Sequence, residues 1–420
     1  MNITRQIYLI GIGMGSRNTR TLLTESILEQ CDCIIGASRM LESVQEYNKP
    51  QFCSYKPDEI CQWLDAHLQY QNIGIVLSGD TGFYSGAKKL ENVIKTKLRN
   101  EERSVQIYQI PGISSVVYLA AKLHTSWDDA KIISAHGEKQ NYIQTIANYN
   151  KTFVLLGGND IAEEVCKKVK TYHLDDTLFY IGKNLSYENE AILVRKGSEL
   201  TIEDLSGLCT VMIKNTRPQR WKYKGIPEEE WVRGKVPMTK EEVREISLRK
   251  LGLTEDAVLY DIGAGTGSVS IEAALCSEKI RVYAIEKNPE GISLIEENKK
   301  KFCTDWVTTV EGVAPGVLNK LEKPTHVFIG GTSGNLKTIL KAVRDKNPEV
   351  TIVLNAISLE TIKEIMEATD ERLLLNPEII QICVSKAKTF GQYHMMLGQN
   401  PIYVVTDRKE GQNSLCKYRE

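Results

Sequence analysis

The sequence predicts an α/β protein of two domains. The chain has 420 residues, which is long for a single hydrophobic core. In the N-terminal half, apolar strand-like runs alternate with helix-like segments, as they do in βαβ units. In the C-terminal half, an apolar run leads into three alternating glycines and then into a helix-like segment. Both patterns favour open sheets with helices packed against them.

The C-terminal half is organised around one stretch. Val258–Ile262 is predicted to form a buried parallel strand, Gly263–Gly267 a tight turn, and Ser268–Leu275 the start of a helix. Such a turn lets a ligand lie close to the backbone at a helix N-terminus. The next predicted strand, Arg281–Ile285, ends in Glu286, whose carboxylate could accept both hydroxyls of a bound ribose.

The spacing of the glycines distinguishes between ligands. A dinucleotide-binding turn has the pattern Gly-x-Gly-x-x-Gly, but here the third glycine comes one residue early, at Gly267. With Asp261 in front, the run reads Asp-x-Gly-x-Gly-x-Gly and resembles motif I of the class I S-adenosylmethionine-dependent methyltransferases. That resemblance implies a Rossmann-like domain with S-adenosylmethionine as its cofactor.

Composition restricts the possible partners. The chain is 42% hydrophobic and 25% charged, and its net charge of −1 indicates neither a nucleic-acid surface nor a membrane surface. None of the ten cysteines forms a Cys-x-x-Cys pair, and the spacing of Cys31 and Cys33 suits neither a disulfide nor a common zinc site. The N-terminus lacks a signal-peptide profile. We therefore expect a cytoplasmic protein with no metal, membrane or nucleic-acid partner.

Four predicted strands of the N-terminal half end in small, polar, glycine-bearing loops. They are Ile73–Leu77, Val105–Ile110, Lys131–Ser134 and Thr152–Leu156. An earlier strand, Gln6–Ile10, also leads into a glycine loop. This arrangement is typical of an open sheet whose ligand lies beyond the carboxyl ends of the strands.

Taken together, the loops resemble those of the tetrapyrrole methylases. The segments Gly11–Gly15, Ser78–Tyr84, Pro111–Ser115 and His136–Gly137 occur in the order of that family. They are most similar to the branch of cobalamin biosynthesis that methylates carbon 5 of the macrocycle. The resemblance covers about residues 5–210 and implies a two-lobed tetrapyrrole methylase fold, with S-adenosylmethionine in the cleft between the lobes.

The resemblance is not uniform along these loops. Thr81 stands where the family commonly has proline, and Glu138 where an arginine is frequent. From the residues themselves, Asp80 could orient a cofactor or cap the next helix, and Ser114 could equally be a helix N-cap. The candidate cofactor-binding residues of this half are Gly79, Asp80, Gly82, Ser114 and Ser115.

The C-terminal resemblance extends beyond the glycine turn. Thr239 is a plausible helix N-cap, with Glu242 completing a capping box, and this explains Thr239 without a ligand. However, residues 222–406 closely resemble the corrin methyltransferases that methylate carbon 15 and decarboxylate an acetate on ring C. At Val313 an acidic residue would be expected, so that contact is through the backbone. The cofactor-binding candidates here are Thr239, Gly263, Ala264, Gly265, Thr266, Gly267, Glu286 and Ala314.

The two resemblances together imply two activities on one chain. Residues 1–214 are expected to methylate carbon 5, residues 215–224 to form a linker, and residues 225–420 to methylate carbon 15 with decarboxylation. The substrate is expected to be a small-molecule tetrapyrrole, a precorrin in its metal-free or cobalt form. The resemblance also implies dimers for the first fold and tetramers for the second, hence a homo-oligomer.

A precorrin carries many acetate and propionate groups, so we expect cationic side chains at both sites. The candidates are Arg17, Arg39, Arg233, Lys235 and Lys240. The sequence identifies no catalytic residue, and methyl transfer to an electron-rich ring carbon needs mainly positioning. The pocket candidates for catalysis are Arg233, Lys235 and His136.

Three other functions compete with this interpretation. A methyltransferase acting on RNA or protein would be expected to show a basic or aromatic face, and after its fourth strand this chain has Phe328–Gly331 rather than an Asn-Pro-Pro-Tyr-like motif. A nicotinamide oxidoreductase is disfavoured by Ser268 in place of the third glycine. A non-catalytic scaffold predicts degenerate loops, whereas these loops are intact.

Overall fold

The computed structural model describes residues 5–97, 105–134, 140–156, 159–219 and 225–408. It divides into two compact units, which we call the N-terminal unit and the C-terminal unit. The N-terminal unit comprises Met1–Lys139, Asn150–Lys167 and Asp175–Thr216. The C-terminal unit comprises Gln140–Tyr149, Lys168–Leu174 and Arg217–Glu420.

The first 214 residues alternate between strands and helices. In chain order the elements are β1 (Arg5–Gly11), α1 (Leu22–Gln30), β2 (Cys33–Gly36), α2 (Ser38–Glu42), β3 (Gln51–Cys53), α3 (Pro57–Ala66), β4 (Asn72–Leu77), α4 (Ala87–Lys97), β5 (Val105–Ile110), α5 (Ser115–Lys122), β6 (Lys131–Ser134), α6 (Tyr142–Asn148), β7 (Lys151–Leu155), α7 (Asn159–Thr171), β8 (Leu178–Lys183), β9 (Ala191–Lys196), α8 (Ile202–Leu205) and β10 (Cys209–Lys214). Helix α6 and the C-terminal end of α7 belong to the C-terminal unit.

Two sheets form the N-terminal unit. The first has the order β3-β2-β4-β1-β5 and is parallel throughout. The second has the order β6-β7-β10-β8-β9, in which only β6 and β7 are parallel. The four glycine-bearing strands therefore divide between two sheets, which corrects the expectation of one open sheet. Burial patterns identify strands but not their partners, because pairing is set by distant parts of the chain.

The first sheet is buried on both faces, as a parallel sheet with helices on each side should be. Along β4, Ile73 and Ile75 pack into one apolar cluster, and Val76 packs into the cluster on the opposite face. The strand therefore reads as a continuous apolar run. Its carboxyl end is left as the place where polar loops can gather.

The C-terminal unit continues with the same alternation. Its elements are α9 (Glu241–Leu251), β11 (Val258–Ile262), α10 (Ser268–Leu275), β12 (Arg281–Glu286), α11 (Pro289–Lys301), β13 (Val307–Glu311), β14 (His326–Ile329), α12 (Leu336–Lys346), β15 (Thr351–Ala356), α13 (Leu359–Asp370), β16 (Pro377–Ile382), β17 (Ser385–Phe390), β18 (Tyr393–Gly398) and β19 (Ile402–Asp407). The predicted strand, turn and helix around the glycines are confirmed as β11, the following loop and α10.

Seven strands form the main sheet of this unit, in the order β13-β12-β11-β14-β15-β19-β16. The strands from β13 to β15 are parallel, and β19 is antiparallel to both of its neighbours. The strand order reverses between β11 and β14, and such a reversal opens a crevice at the carboxyl edge of a sheet. The mixed α/β architecture confirms the predicted fold class.

Strands β17 and β18 form a separate two-stranded sheet in which every residue is exposed. Tyr393 and His394, which precede the last strand in sequence, lie on this hairpin.

Among the helices of the described residues, none is long and apolar enough to cross a membrane. The same residues contain no group of three or more His, Cys, Asp or Glu side chains placed to bind a metal ion.

A buried ion pair fixes the segment that precedes α9. The Arg244 guanidinium lies 2.7 Å from the Glu272 carboxylate, and both side chains are buried. Arg244 also donates to the backbone carbonyls of Thr239, at 2.9 Å, and Ile226, at 2.5 Å, and lies over the Trp231 ring. Because a buried charge must be neutralised and hydrogen-bonded, this network holds the chain on both sides of Trp231 against α9 and α10.

Replacing Arg244 by methionine should leave Glu272 as an unpaired buried carboxylate. We expect a loss of about 3–5 kcal/mol in the unfolding free energy of the C-terminal unit, since breaking one partner of a buried pair has that effect. The measurement is denaturant unfolding of the full chain, with Arg249→Met as the control because Arg249 is exposed on the same helix. Equal stability of the two variants would contradict the role assigned to the network.

Candidate functional site

A cavity lies in the C-terminal unit, at the carboxyl ends of β11, β12 and β14. Its volume is about 760 Å³. The lining includes the glycine loop, the acidic residue that ends β12, and segments from before α9 and after β13 and β14: Pro237, Thr239, Lys240, Gly263, Ala264, Gly265, Glu286, Lys287, Val313, Ala314, Gly331 and Ser333. We call this the second cavity.

The glycine loop is tight because other backbone segments approach it closely. Gly263 and Gly265 have φ angles of +74° and +56°, which favour glycine. A Cβ atom on Gly265 would lie 2.7 Å from the Pro237 carbonyl oxygen, and one on Gly263 would lie 2.9 Å from the Gly331 nitrogen. These two glycines are therefore required by the walls of the cavity, whatever fills it.

Glu286 holds this loop in place. Its carboxylate accepts a hydrogen bond from the Gly265 nitrogen at 2.8 Å. The other carboxylate oxygen accepts from the nitrogens of Lys287 and Asn288, at 2.8 and 2.9 Å. The side chain is nearly buried and lies at the cavity wall. A carboxylate has about four acceptor positions, so the three backbone donors leave capacity for a ligand hydroxyl.

The sequence interpretation of Thr239 as a helix N-cap is wrong. Helix α9 begins at Glu241, its N-cap is Lys240, and no side chain caps it. Glu242 forms an ion pair with Lys386, at 2.9 Å, rather than completing a capping box. The carbonyl of Thr239 is held by the buried Arg244 guanidinium, which places this residue outside the helix. Thr239 instead lines the second cavity.

Other predicted residues of this half take different places. Ala314 and Val313 line the cavity, but Thr266 and Gly267 do not. Thr266 is buried, and its carbonyl accepts from the Asn298 side chain at 3.1 Å. Gly267 is the N-cap of α10, with φ at +78°.

The predicted cations of this half are mostly neutralised. Arg233 and Lys240 both contact the Glu228 carboxylate, at 3.5 and 3.2 Å. Burial acts to raise the pKa of Glu228, but the hydrogen bond from Lys240 and the neighbouring cations lower it. Lys235 is exposed and does not line the cavity. The sequence reasoning missed Lys287, which directly follows Glu286, lines the cavity and donates to Ser333 at 2.8 Å.

Another, smaller cavity lies in the N-terminal unit. We call it the first cavity because its residues come earlier in the chain than those of the second cavity. Its volume is about 550 Å³. Apart from Arg39, its lining consists mainly of apolar, aromatic, hydroxyl-bearing and glycine residues, which include Met14, Tyr55, Ser78, Gly79, Phe83, Tyr84, Ser114, Ser115, Ser134, Leu155, Gly182, Leu185 and Thr210.

The loops at the carboxyl ends of β1, β4 and β5 are in direct backbone contact. The Gly79 nitrogen donates to the Gly13 carbonyl at 2.7 Å. A Cβ atom on Gly112 would lie 2.3 Å from the Gly79 carbonyl oxygen and 2.5 Å from that of Gly11. Glycine is therefore needed at Gly112 because three loops cross there.

Asp80 joins two of these loops rather than facing the cavity. Its carboxylate accepts from the Gly82 nitrogen at 2.8 Å and from the Gly112 nitrogen at 3.0 Å. Neither Asp80 nor Gly82 is among the described lining residues. Two roles were considered for the Asp80 side chain, and helix capping is wrong, because α4 begins only at Ala87.

The two serines both line the first cavity and both have structural partners. The Ser114 hydroxyl accepts from the Val117 nitrogen at 3.3 Å as the N-cap of α5. The Ser115 hydroxyl accepts from Thr210 at 2.8 Å.

Arg17 forms an exposed ion pair with Glu25 and lies outside the lining. Among the remaining predictions, His136, Gly137 and Glu138 fall outside the described residues.

Asp261, the acidic residue of the glycine motif, is buried behind the loop. One carboxylate oxygen accepts from the Ser270 hydroxyl at 2.6 Å, and the other has no hydrogen-bond partner within the described residues. Burial raises the pKa of the Asp261 carboxyl to about 7 from its ordinary value of 3.8. Near neutral pH, this side chain is therefore close to the point where it gains or loses a proton.

Comparison with known proteins gives two matches to family models. Residues 230–408 match the model described as "Precorrin methyltransferase domain". Residues 6–201 match the model of the "Tetrapyrrole (Corrin/Porphyrin) Methylases". Residues 230–408 contain the glycine loop of the second cavity. Residues 6–201 contain most of the residues that line the first cavity.

Three individual matches each cover 44% of the chain. The chain is 42% identical over 191 residues to a Pyrobaculum calidifontis protein named "Probable cobalt-precorrin-6B C(15)-methyltransferase (decarboxylating)", covering 44% of this chain and 97% of the relative. It is 35% identical over 187 residues to the cobalt-precorrin-6B C(15)-methyltransferase (decarboxylating) of Salmonella typhimurium, covering 44% and 96%. A solved precorrin-6Y C5,15-methyltransferase structure from Geobacter metallireducens is 40% identical, with a TM-score of 0.42, covering 44% and 98%.

The buried carboxyl of Asp261 should make stability depend on pH. A carboxyl whose pKa is raised by folding contributes stability that is complete below the unfolded pKa, near 4, and is lost as pH rises through the folded pKa, near 7. We therefore expect Asp261→Asn to gain stability relative to the wild type as pH rises from 5 to 8. The measurement is the melting temperature across this range, with Asp256→Asn as the exposed control. Parallel curves for the Asp261→Asn variant and the wild type would contradict the assignment.

Proposed function

Because the chain belongs to the precorrin methyltransferase family and also matches the tetrapyrrole methylases, we propose that it is a bifunctional corrin-ring methyltransferase. In this proposal residues 1–214 methylate carbon 5 of a precorrin, and residues 225–420 methylate carbon 15 and decarboxylate the ring C acetate. Residues 215–224 connect the two activities. The substrate is a precorrin of the 6Y or 6B type, in its metal-free or cobalt form.

One observation carries the proposal. Each unit has its own cavity at glycine loops on the carboxyl edge of a parallel sheet, and each cavity falls largely within a different family match. A methyltransferase that acts on RNA or protein through the C-terminal unit alone would need only one such cavity. Two cavities of about 760 and 550 Å³ suit two transfer reactions on substrates of the same kind.

The residues of the second cavity fit S-adenosylmethionine. Glu286 presents a carboxylate already oriented by three backbone donors, with acceptor capacity left for a ribose hydroxyl. The loop from Gly263 to Gly265 has no side chain larger than a methyl group, so a ligand can lie against its backbone. Thr239 and Ala314 line the same cavity and complete the proposed cofactor contacts.

In the first cavity, the proposed cofactor contacts are Gly79, Ser114 and Ser115. All three line the cavity, and the two serine hydroxyls are already oriented by Val117 and Thr210. Asp80 and Gly82 act indirectly in this proposal. Their hydrogen bond, together with that from Gly112, fixes the loop that carries Gly79.

S-adenosylmethionine, when bound, supplies an electrophilic methyl group on a sulfonium. The protein then has to bring a ring carbon into line with that group and keep water away. Apolar lining residues such as Ile262, Ile285 and Ile339 serve the exclusion of water in the second cavity. When the carboxyl group of the acetate leaves as carbon dioxide, the electron pair of the broken C–C bond is delocalised into the conjugated macrocycle, and the methylene that remains takes up a proton. The proposal therefore needs no nucleophilic side chain.

The direct test is mass spectrometry of the tetrapyrrole after incubation with the protein and S-adenosylmethionine, using metal-free and cobalt-containing precorrin in parallel. The proposal predicts a product with two additional methyl groups and without one carboxyl group. Unchanged mass with both precursors, together with calorimetrically demonstrated binding of S-adenosylmethionine, would exclude a corrin substrate.

Two glycine variants should separate the activities. In Gly265→Val, the new side chain meets the Pro237 carbonyl, and in Gly112→Val it meets the Gly79 carbonyl. Overpacking of this kind should weaken S-adenosylmethionine binding at the altered site by roughly 10- to 100-fold. Calorimetry should then give two cofactor sites per wild-type chain and one per variant.

Product analysis completes this comparison, with each glycine variant serving as the control for the other. Gly265→Val should lose the methylation at carbon 15 together with decarboxylation, whereas Gly112→Val should lose the methylation at carbon 5. If both variants lost the same single methyl group, the assignment of one activity to each unit would be wrong.

A further inference from the structure

The first cavity has one charged side chain among its described lining residues, Arg39. The other described residues of the lining are apolar, aromatic, glycine or hydroxyl-bearing, apart from Cys209. A guanidinium stays charged at any pH that a protein experiences. Arg39 therefore places a permanent positive charge at a mostly neutral cavity.

Neighbouring groups fix this guanidinium but do not neutralise it. One terminal nitrogen, Nη1, donates to the Met14 carbonyl at 3.0 Å and to the Tyr187 hydroxyl at 2.8 Å. The other, Nη2, donates to the Ser78 hydroxyl at 3.2 Å. No carboxylate of the described residues forms an ion pair with Arg39. The arginine is held, but its charge remains available.

The hydrogen-bond inventory leaves two donors of the guanidinium unused. Arginine has five N–H donors, of which Met14, Tyr187 and Ser78 use three. The Nε donor makes no hydrogen bond within the described part of the chain, and Nη2 has one further N–H. An Nε and Nη2 edge matches the two oxygens of a carboxylate.

Three other arginines of the same unit differ from Arg39 in pairing with carboxylates. Arg17 and Arg20 both pair with Glu25, and Arg195 pairs with Asp204. These arginines have their acidic partners within the fold. A purely structural role for Arg39 accounts for three of its donors but not for the missing acid.

The third glycine of the first loop supports the position of Arg39. Gly15 has φ at +128°, and a Cβ atom there would lie 2.3 Å from the Tyr187 hydroxyl oxygen. Glycine at this place lets Tyr187 approach the loop and reach Arg39. Since the hydroxyl accepts from the guanidinium, its own proton can be donated to an anion beside Arg39.

We propose that Arg39 binds one acetate or propionate carboxylate of the tetrapyrrole through its Nε and Nη2 edge, and that Tyr187 positions the Arg39 guanidinium. This inference rests on the proposed function of the first cavity. Tyr55 and Tyr84 line the same cavity and are 74% and 59% exposed. Their rings offer the macrocycle apolar surface beside the charged contact.

The test compares Arg39→Leu, Arg39→Lys and Tyr187→Phe, each combined with Gly265→Val so that methylation at carbon 5 is measured without methylation at carbon 15. Arg17→Leu in the same background is the matched control, because Arg17 is exposed and paired with Glu25. Two quantities are measured: the KM and kcat for methylation at carbon 5, and the Kd for uroporphyrin, a tetrapyrrole with eight carboxylates. The Kd for S-adenosylmethionine reports whether the cavity itself is intact.

For Arg39→Leu, the KM and the uroporphyrin Kd should rise by roughly 10- to 100-fold, the effect of losing a charge-assisted hydrogen bond, while kcat changes less. Arg39→Lys should restore part of the affinity, since it keeps the charge but not the fork. Tyr187→Phe should have a smaller effect in the same direction. The S-adenosylmethionine Kd should stay within about twofold of the control, because the Arg39 side chain is assigned to the substrate rather than the cofactor.

Two outcomes would overturn the inference. One is equal tetrapyrrole affinity in Arg39→Leu and Arg17→Leu, and the other is a parallel loss of S-adenosylmethionine affinity, which would assign Arg39 a structural role. Failure of the proposed function looks different. In that case the Gly265→Val parent transfers no methyl group, while the dependence of uroporphyrin binding on Arg39 still decides whether the carboxylate contact exists.

Discussion

The shape of the second cavity depends on the Glu286 carboxylate. It accepts from Gly265 on one side and from Lys287 and Asn288 on the other, and so joins the glycine loop to the end of β12. Hydrogen bonds to a carboxylate are stronger than those between neutral groups, and this one holds Gly265 against the Pro237 carbonyl. The side chain proposed to bind the ribose is thus also the one that builds the wall around it, which preorganises the contact.

The N-terminal unit uses a carboxylate in a related way but with a different consequence. Parallel strands end in loops whose N–H groups need acceptors, and Asp80 supplies one for both Gly82 and Gly112. Glu286 faces its cavity, whereas Asp80 lies behind the loop that it fixes. An acidic residue in a glycine motif can therefore serve the loop rather than the ligand.

Local patterns predicted the elements better than their partners. The turn after β11 and the acid at the end of β12 follow from the order of residues, and both are where the sequence predicts them. Thr239 satisfied the pattern of an N-cap, but Arg244, buried beside Glu272, holds its carbonyl and α9 begins later. Local patterns also did not predict the division of the strands into two sheets, because register and partner depend on contacts distant in sequence. The two lobes were implied only by the family resemblance.

The cations show this limit most clearly, because the chemistry of a charged side chain depends on its nearest acid. The sequence gives no reason to separate Arg17 and Arg233 from Arg39, yet Glu25 neutralises Arg17 and Glu228 neutralises Arg233. Glu25 lies in α1 and Glu228 in a short 3-10 helix. Composition and spacing do not show which of these cations finds an acid. Arg39 differs from these two arginines because its partners are neutral: they fix the position of the guanidinium and leave its charge. A buried or half-buried cation without a counterion adds little to the stability of the fold, but it can bind an anionic ligand that supplies the counterion. The surroundings of Arg39 therefore favour a role in ligand recognition.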